Sequence, residues 1–309
     1  MKSDNTLISV VIPTRNRANL LERAIRSVLN QTCQNFEIIV VNDCSTDDTE
    51  EIINKFKDRR IRYIRHDRNK GRAASRNAGI RHARGAYITF LDDDDEMLPL
   101  KLERQLQKFK ECSEKVGLVY CGYADVYGDK IVRTTLPRIK GYVYDSVLLA
   151  GPFAIHAPLI RKECLDKSGD FDLTFSTCED WDLWIRMSRC YEFDFIPEVL
   201  ALYNMHGDQT ITCVRKMISG REMILKKHLR ELERRKKILS WHLRRLGSLY
   251  CFDGEYVKGR KYLLKSMRVH PMNIGSYFHM LLSFISKRLH KKLIEKYGLT
   301  RIEDLNLFF

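Results

Sequence analysis

Apolar residues follow two different periods along the first half of the chain. Short runs rich in Val and Ile predict four strands, at residues 7–12, 36–41, 61–64 and 86–91. Between them, apolar residues spaced three and four apart predict helices, and we expect the third helix to run to about Ala83 and to be ended by Gly85. Near-continuous apolar strands that alternate with helices indicate a parallel sheet covered on both faces, and hence an α/β fold.

The pattern weakens after this sheet and then changes character. One further helix and two further strands are predicted at residues 100–109, 117–123 and 194–203. Residues 126–158 are weakly patterned, and we expect strands and loops there. From Arg215 the spacing of apolar residues predicts long amphipathic helices. Two of these helices flank Gly254 and are followed by Pro271, which is typical of one tetratricopeptide-type unit and also of a plain helical hairpin.

Charge divides the chain at about the same place. Residues 215–309 hold 23 Lys and Arg against 8 Asp and Glu, whereas residues 1–214 hold 31 against 32. This asymmetry predicts two units, a domain at 1–214 and a basic helical region at 215–309. The basic charge has three interpretations: a solvated helix face, a surface for anionic lipid, or a nucleic-acid surface. Because no recognised nucleic-acid motif accompanies it, we expect no nucleic acid partner.

Cysteine spacing and hydropathy argue against several classes of protein. Nine scattered cysteines without a CxxC pair predict reduced thiols rather than a disulfide framework or a zinc site. The first apolar run lacks a cleavage region, and no run approaches the roughly 18 apolar residues of a membrane-spanning helix. We therefore expect a cytoplasmic protein.

Four consecutive aspartates, Asp92 to Asp95, follow the fourth predicted strand. Like charges this close repel one another and resist burial, so a bound cation would neutralise them. Mg²⁺ and Mn²⁺ prefer oxygen ligands, often one or two carboxylates together with substrate phosphates. Because ligands bind at the carboxyl ends of parallel strands, the run predicts a metal site there. An acidic, solvated turn is the alternative.

Other polar groups follow the neighbouring strands and are expected at the same edge of the sheet. Thr14 lies at the end of the first strand and Asp43 at the end of the second, where each could bind a ligand or cap a helix. Arg72 and Arg76 lie four residues apart on one predicted helix face, which suits either a phosphate or a solvated surface.

Two later segments add carboxylates and a histidine. Glu179 and Asp180 open a Trp-bearing helix, where they could cap the helix or supply a general base. His206 follows the last predicted strand, where a structural histidine is the alternative to a ligand.

Taken in order, these motifs resemble the inverting nucleotide-sugar glycosyltransferases of family 2. The resemblance covers residues 7 to about 210 and rests on six segments: Val10–Arg17, Val41–Asp47, Asn69–Asn77, Phe90–Asp95, Glu179–Trp184 and His206. Arg15 stands where an aromatic residue is common in the family. The resemblance implies a GT-A-type fold with a Rossmann-like, mostly parallel sheet flanked by helices, in which 1–123 is the nucleotide-sugar half and 124–214 the acceptor half.

The resemblance also implies a role for each candidate residue. Asp180 would be the catalytic base, and Asp94 with His206 would bind a divalent metal, Mn²⁺ or Mg²⁺. A nucleotide-sugar donor, expected to be UDP-linked, would be held by the other candidates: Pro13, Thr14, Arg17, Asp43, Arg72, Arg76, Asp92 and Asp93. The implied acceptor is a hydroxyl of a glycan or of a lipid-linked or other molecule, as in the polysaccharide biosynthesis of a cell envelope.

Two other functions fit part of the pattern. A nucleotidyltransferase also uses metal-binding aspartates on an α/β sheet, but such enzymes usually carry a glycine-rich phosphate loop after the first strand. This chain has Pro13 to Arg17 there, without glycine. A non-catalytic sugar-nucleotide-binding scaffold is the third interpretation, and the intact Asp94 and Asp180 argue against it. Through 215–309 we also expect peripheral contact with the inner face of an anionic membrane.

Overall fold

The structure is a computed structural model that describes residues 7–206 and 214–285. Its strands form one mixed sheet and are β1 Ile8–Thr14, β2 Phe36–Asn42, β3 Ile61–Arg65, β4 Tyr87–Phe90, β5 Glu96–Met97, β6 Val116–Tyr127, β7 Lys130–Thr135, β8 Pro158–Arg161 and β9 Glu192–Asn204. The spatial order is β3-β2-β1-β4-β8-β6-β9-β5, with β7 beside β6. The helices are α1 Ala18–Leu29, α2 Thr49–Lys55, α3 Arg72–His82, α4 Lys101–Glu111, α5 Tyr144–Leu149, α6 Lys162–Ser168, α7 Glu179–Ser188, α8 Val214–Lys227, α9 Leu229–Glu233, α10 Lys236–Asp253, α11 Tyr256–Val269 and α12 Ile274–Ile285.

The first four strands form the parallel half of the sheet. Strand β1 pairs in parallel with β2 on one side and with β4 on the other, and β3 continues the sheet beyond β2. Every residue of β1 and β2 is buried, which is why both strands are apolar at nearly every position. The predicted α/β fold with a mostly parallel sheet flanked by helices is therefore confirmed.

Close packing of α3 onto β1 requires a glycine. A Cβ atom on Gly79 would lie 2.2 Å from Cγ1 and 2.9 Å from Cγ2 of Val11, so a side chain at this position would force its surroundings to shift. Gly85 also permits close approach, and the prediction that it caps α3 is wrong. The helix ends at His82, Ala83 is already extended, and Gly85 does not have a positive φ. Instead, a Cβ atom on Gly85 would lie 2.7 Å from the Leu7 carbonyl oxygen.

The second half of the sheet explains the weak sequence pattern there. Strand β8 runs antiparallel to both β4 and β6, while β9 runs parallel to β6. Strand β7 pairs with β6 at the edge, and its side chains are largely exposed, so it lacks an apolar run. The two-residue strand β5 and the short helix α5 were not predicted, because neither is long enough to show a period.

The chain divides into two compact units. Of the described residues, the first comprises 7–144, 152–174 and 179–206, and the second comprises 145–151, 175–178 and 214–285. The sequence-based boundary at residue 214 stays a prediction.

In the second unit, α10 and α11 form a helical hairpin. Gly254 follows α10 in the left-handed conformation, with φ 96°, and its N–H bonds back to the end of that helix. The two helices approach closely at a pair of glycines, since a Cβ atom on Gly247 would lie 2.9 Å from the Gly259 carbonyl oxygen. Among the described helices, none is both long enough and apolar enough to cross a membrane. The eight described cysteines are free thiols, as predicted, and Cys213 lies outside the described residues.

Candidate active site

The carboxyl ends of β1, β2 and β4 bring the predicted site residues to one edge of the sheet. Thr14 is paired with Asn42 in the parallel register, and the Asp43 N–H donates to the Thr14 carbonyl oxygen at 2.9 Å. Pro13 and Thr14 are buried at the end of β1. The aspartate run begins two residues after the end of β4, the other neighbour of β1. Parallel pairing is thus what gathers groups that lie far apart in sequence.

Asp43 is held in place by the loop that leads into α3. Its carboxylate accepts hydrogen bonds from the N–H groups of Lys70 and Gly71, at 2.7 and 2.8 Å, and from Nδ1 of His66 at 3.0 Å. Gly71 has φ 87°, a conformation that favours glycine, and it directly precedes the first residue of α3. The side chain therefore fixes the start of α3, while its contact with a nucleobase stays a prediction.

Asp47, rather than Asp43, binds the first N–H groups of the two helices that begin near the end of β2. One oxygen of its carboxylate accepts the N–H of Ala18, the first residue of α1, at 3.0 Å. The other accepts the N–H of Thr49, the first residue of α2, at 3.2 Å. Burial opposes ionisation of Asp47, but hydrogen bonds from Thr49 and Ala18 outweigh it and hold its pKa below the ordinary value. One carboxylate thus fixes the N-termini of two helices.

Arg17 lies against the aspartate run. Its Nη1 is 2.7 Å from Oδ2 of Asp94 and 3.1 Å from Oδ1 of Asp93. Burial raises the pKa of Asp93 to about 7 even though the charge of Arg17 favours its ionised form. The arginine therefore neutralises only part of the negative charge that the run collects.

The geometry of the run fits a divalent cation. Among the residues that the structure describes, Asp92, Asp94 and Asp95 can each place one carboxylate oxygen within 4.8 Å of the others. Nε2 of His206 lies 2.7 Å from Oδ2 of Asp94, so the two predicted metal ligands are in direct contact. Hard oxygen donors and surplus negative charge are what Mg²⁺ and Mn²⁺ prefer. The roles of Asp94 and His206 as ligands remain predictions.

Asp95 accepts one hydrogen bond at each of its oxygens, and these bonds fix the position of its carboxylate. It is completely buried; one oxygen accepts Nδ1 of His156 at 2.7 Å and the other accepts the N–H of Asn204 at 3.0 Å. Burial raises the pKa of Asp95 to about 6, against the favourable charge of His156. Asn204 also donates through its side chain to the carbonyl oxygen of Asp94 at 2.9 Å. This network joins the end of β9, and so His206, to the aspartate run.

Arg76 bridges the aspartate run and the start of α7. Its Nη2 lies 2.6 Å from Oδ1 of Asp92, and its Nη1 lies 2.7 Å from Oε1 of Glu179. The Arg76 side chain is only 2% exposed, so it acts inside the protein as a positioning residue in this structure. Burial opposes ionisation of Asp92, but Arg76 and the half-exposed Arg72 outweigh it and lower its pKa. Direct contact of Arg76 with a nucleotide stays a prediction; Arg72, 47% exposed, is open to solvent.

Asp180 follows Glu179 directly but has a different environment. Glu179 is paired with Arg76 at 2.7 Å and lies 3.7 Å from Arg72, whereas Asp180 accepts only the N–H of Trp181, at 2.8 Å, from the described residues. Burial and the charge of Glu179 raise the pKa of Asp180 to about 6, against the opposing charge of Arg76. A half-buried carboxylate that has a raised pKa, and no ion-pair partner among those residues, has the properties of a general base.

Sequence reasoning missed three contributors to this site. The sequence pattern groups Glu179 with Asp180 and gives it no separate role, and His156 and Asn204 carry no local signal. The contacts of His156 and Asn204 with Asp95 span 61 and 109 positions, so only the assembled sheet brings these residues together.

Comparison with known proteins agrees with this geometry. The sequence profile described as "Glycosyl transferase family 2" matches residues 9–162. An uncharacterized glycosyltransferase of Methanocaldococcus jannaschii, MJ1057, is 33% identical over 238 residues, which cover 73% of this chain and 80% of that protein. The putative colanic acid biosynthesis glycosyl transferase WcaA of Escherichia coli is 33% identical over 244 residues, which cover 76% of this chain and 85% of that protein.

Two groups of solved structures share the fold. TarS 1–349 of S. aureus in complex with UDP-GlcNAc has a TM-score of 0.62 at 16% identity, covering 94% of this chain and 91% of that one. Mannosyltransferase PcManGT of Pyrobaculum calidifontis, in complex with GDP-Man and Mn²⁺, has a TM-score of 0.59 at 14% identity, covering 98% and 88%. These likenesses show a GT-A fold. The matching profile and the identity and coverage of the relatives establish that this chain is a member of glycosyltransferase family 2.

Proposed function

We propose that this chain is an inverting, metal-dependent glycosyltransferase that moves a sugar from a nucleoside diphosphate sugar, UDP-linked, to an acceptor hydroxyl. The observation that carries the proposal is the ion-pair chain from Asp92 through Arg76 to Glu179, with Asp180 as the next residue. It ties a candidate base to the strand tip that carries the candidate metal ligands. Family membership sets the nucleotidyltransferase interpretation aside.

Asp180 would take the proton from the acceptor hydroxyl as that oxygen attacks the anomeric carbon. The bond from the anomeric carbon to the diphosphate oxygen breaks in the same displacement, so no enzyme nucleophile is needed and the configuration inverts. One ionised carboxylate is sufficient for this role. Glu179, paired with Arg76, would keep its neighbour's pKa raised and hence its basicity useful near neutral pH.

The donor would lie along the edge formed by β1, β2 and β4. Asp43 would accept a donor group of the nucleobase through its remaining lone pair, and Asp92 would contact the ribose. Asp94 and His206 would hold the divalent metal, which as a Lewis acid stabilises the charge on the leaving diphosphate.

Cations at the same edge would bind the diphosphate. Arg17 and Arg72 are both partly exposed there and would contact phosphate oxygens. The solved complexes of TarS with UDP-GlcNAc and of PcManGT with GDP-Man and Mn²⁺ support this arrangement by analogy of fold.

The acceptor belongs to polysaccharide or lipid-linked glycan synthesis in this proposal. WcaA, a relative at 33% identity, carries a putative assignment to colanic acid biosynthesis. The basic region 215–309 supports a peripheral contact with the inner face of an anionic membrane, where a lipid-linked acceptor would be concentrated.

A panel of nucleotide sugars tests the proposal. The protein is incubated with UDP-Glc, UDP-Gal, UDP-GlcNAc and GDP-Man, with and without Mn²⁺, and release of nucleoside diphosphate is measured, with water as the acceptor of the sugar. We expect one donor to be turned over only in the presence of metal, and turnover to be lost in Asp94→Asn. Asp129→Asn, the same chemical change at an exposed turn, is the control and should leave the rate unchanged. Metal-independent turnover would contradict the metal role, and no turnover of any donor would favour a non-catalytic scaffold.

A further inference from the structure

Helix α12 turns its apolar side chains outward and its polar side chains inward. Five large apolar residues, which we call the α12 face, are 46 to 76% exposed: Ile274, Tyr277, Phe278, Leu281 and Phe284. On the opposite side, Ser276, His279 and Ser283 are buried beside Leu282. A helix on the surface of a protein in water normally has the reverse arrangement. The spacing of the exposed residues, three and four apart, makes the face continuous along the helix.

Hydrogen bonds fix this orientation. The Ser276 hydroxyl lies 2.8 Å from the Ser266 hydroxyl of α11, in a buried cluster that Ser240 of α10 completes. Near the other end of the helix, Nε of Arg260 donates to the Ser283 hydroxyl at 2.9 Å. Rotating α12 to bury its apolar side would break these bonds and expose the cluster. The outward direction of the α12 face is therefore a stable property of the unit.

Charge around the α12 face identifies the kind of partner. Residues 256–285, the described residues that hold α11 and α12, contain five Lys and Arg and no Asp or Glu. On α11, which packs against α12, Lys258, Lys261, Lys265 and Arg268 are exposed. A second copy of the chain would bring the same positive charge and be repelled. An apolar face beside cations matches the interface of an anionic bilayer, where acyl chains lie beneath negative headgroups.

We propose that the α12 face inserts into the headgroup and acyl-chain boundary of an anionic lipid bilayer. The polar side of α12 is bonded to α11 and only its apolar side is open, so the helix would lie in the plane of the membrane with the α12 face towards the acyl chains. The inference rests on the membrane contact proposed above for 215–309 and narrows it to one surface. It does not depend on the sugar-transfer chemistry.

Co-sedimentation of the full chain with vesicles tests the inference. The vesicles are phosphatidylcholine alone or phosphatidylcholine with about one third phosphatidylglycerol. The test variant is Ile274→Ser/Phe278→Ser/Leu281→Ser. The control variant, Tyr127→Ser/Ile131→Ser/Val132→Ser, removes three residues that are 55 to 67% exposed on the β6–β7 hairpin of the first unit. Thermal unfolding of both variants, expected at the wild-type temperature, verifies that they fold.

We expect wild type and control to bind the anionic vesicles and to lose binding at high salt, and the α12 variant to bind at least about tenfold more weakly. Wild-type affinity in the α12 variant would overturn the inference while leaving the membrane contact of 215–309 in place. Failure of the wild type to bind any vesicle would refute both. Sedimentation velocity tests whether a second copy of the chain binds the α12 face instead. A wild-type dimer that the α12 variant converts to monomer would overturn the inference in favour of a second copy.

Discussion

Replacing Arg76 with methionine should destabilise the protein strongly, because Arg76 is the only described cation in hydrogen-bonding contact with either Asp92 or Glu179. Its two pairs measure 2.6 and 2.7 Å, and the Glu179 side chain is only 5% exposed. Removing one partner of a buried ion pair costs about 3 to 5 kcal/mol, because a buried charge is left uncompensated.

Protonation of the carboxylate that Arg76 leaves behind sets a second limit on the loss of stability. A glutamate with an ordinary pKa near 4.3 can be neutralised at pH 7 for about 3.7 kcal/mol, and this cost falls by about 1.4 kcal/mol for each unit of pH. The two estimates agree on a loss of about 3 to 4 kcal/mol at neutral pH. The loss should shrink to about 1 kcal/mol near pH 5, because neutralising the freed carboxylate then costs only about that much.

Urea denaturation of Arg76→Met and Arg72→Met at both pH values measures this directly. Arg72 lies one turn away on the same helix and also faces Glu179, but it is 47% exposed and 3.7 Å distant, so its loss should cost less than about 1 kcal/mol. Arg76→Lys keeps the charge but cannot span two carboxylates, and we expect an intermediate loss. Equal effects of Arg72→Met and Arg76→Met, or a loss for Arg76→Met that does not change with pH, would refute the reasoning.

Three further predictions concern ionisable groups of the first unit. In initial-rate measurements, the acidic limb of the plot of kcat/KM against pH should lie near pH 6, where Asp180 loses its proton. Glu179→Gln should move this limb to lower pH, because it removes the like charge beside Asp180. A limb that does not move would argue against Asp180 as the titrating base. The pKa of Asp93 is raised, so the stability that its protonation gives is present at acid pH and is lost as pH rises through about 7. The aspartate run is therefore more negative at pH 8 than at pH 5.5, and bound Mn²⁺ should raise the melting temperature more at pH 8. Asp94→Asn should abolish this difference between the two pH values. Burial lowers the pKa of Lys101 to about 8, so the stability that its neutral form gives is lost as pH falls through that value. The free energy of unfolding of wild type should therefore gain about 3 kcal/mol relative to Lys101→Met as pH rises from below 8 towards 10.5. Equal changes with pH in the denaturation of the two proteins would contradict this.

The sequence was informative wherever a period or a strand end decided the outcome. Buried parallel strands are apolar at almost every position, so β1, β2 and β4 could be recognised, and parallel pairing then predicted that Thr14, Asp43 and the aspartate run meet at one edge. What stayed hidden was pairing over long separations: nothing near Arg76 in sequence indicates Glu179, 103 residues away. The exposed side of α12 was hidden for a different reason, since its amphipathic pattern predicts a helix but does not reveal that the apolar side faces outward.

Local chemistry was also ambiguous where one residue type has two uses. Aspartates after β2 could bind a ligand or cap a helix, and the structure divides these tasks between neighbours. Asp47 caps α1 and α2, while Asp43 holds the loop before α3. Gly85 shows the same ambiguity, because glycine serves both left-handed turns and close contacts, and only the position of β1 decides between them.

The most direct test of the account compares turnover of the accepted donor by Asp180→Asn and by wild type, with UDP affinity measured on the same samples by calorimetry. General base catalysis contributes about 10²- to 10⁴-fold, so the variant should lose at least about a hundredfold in rate while binding UDP as the wild type does. NMR of the wild-type product should show the inverted anomeric configuration. Near-normal turnover in Asp180→Asn with unchanged UDP affinity would contradict the central claim that this carboxylate is the base of an inverting sugar transfer.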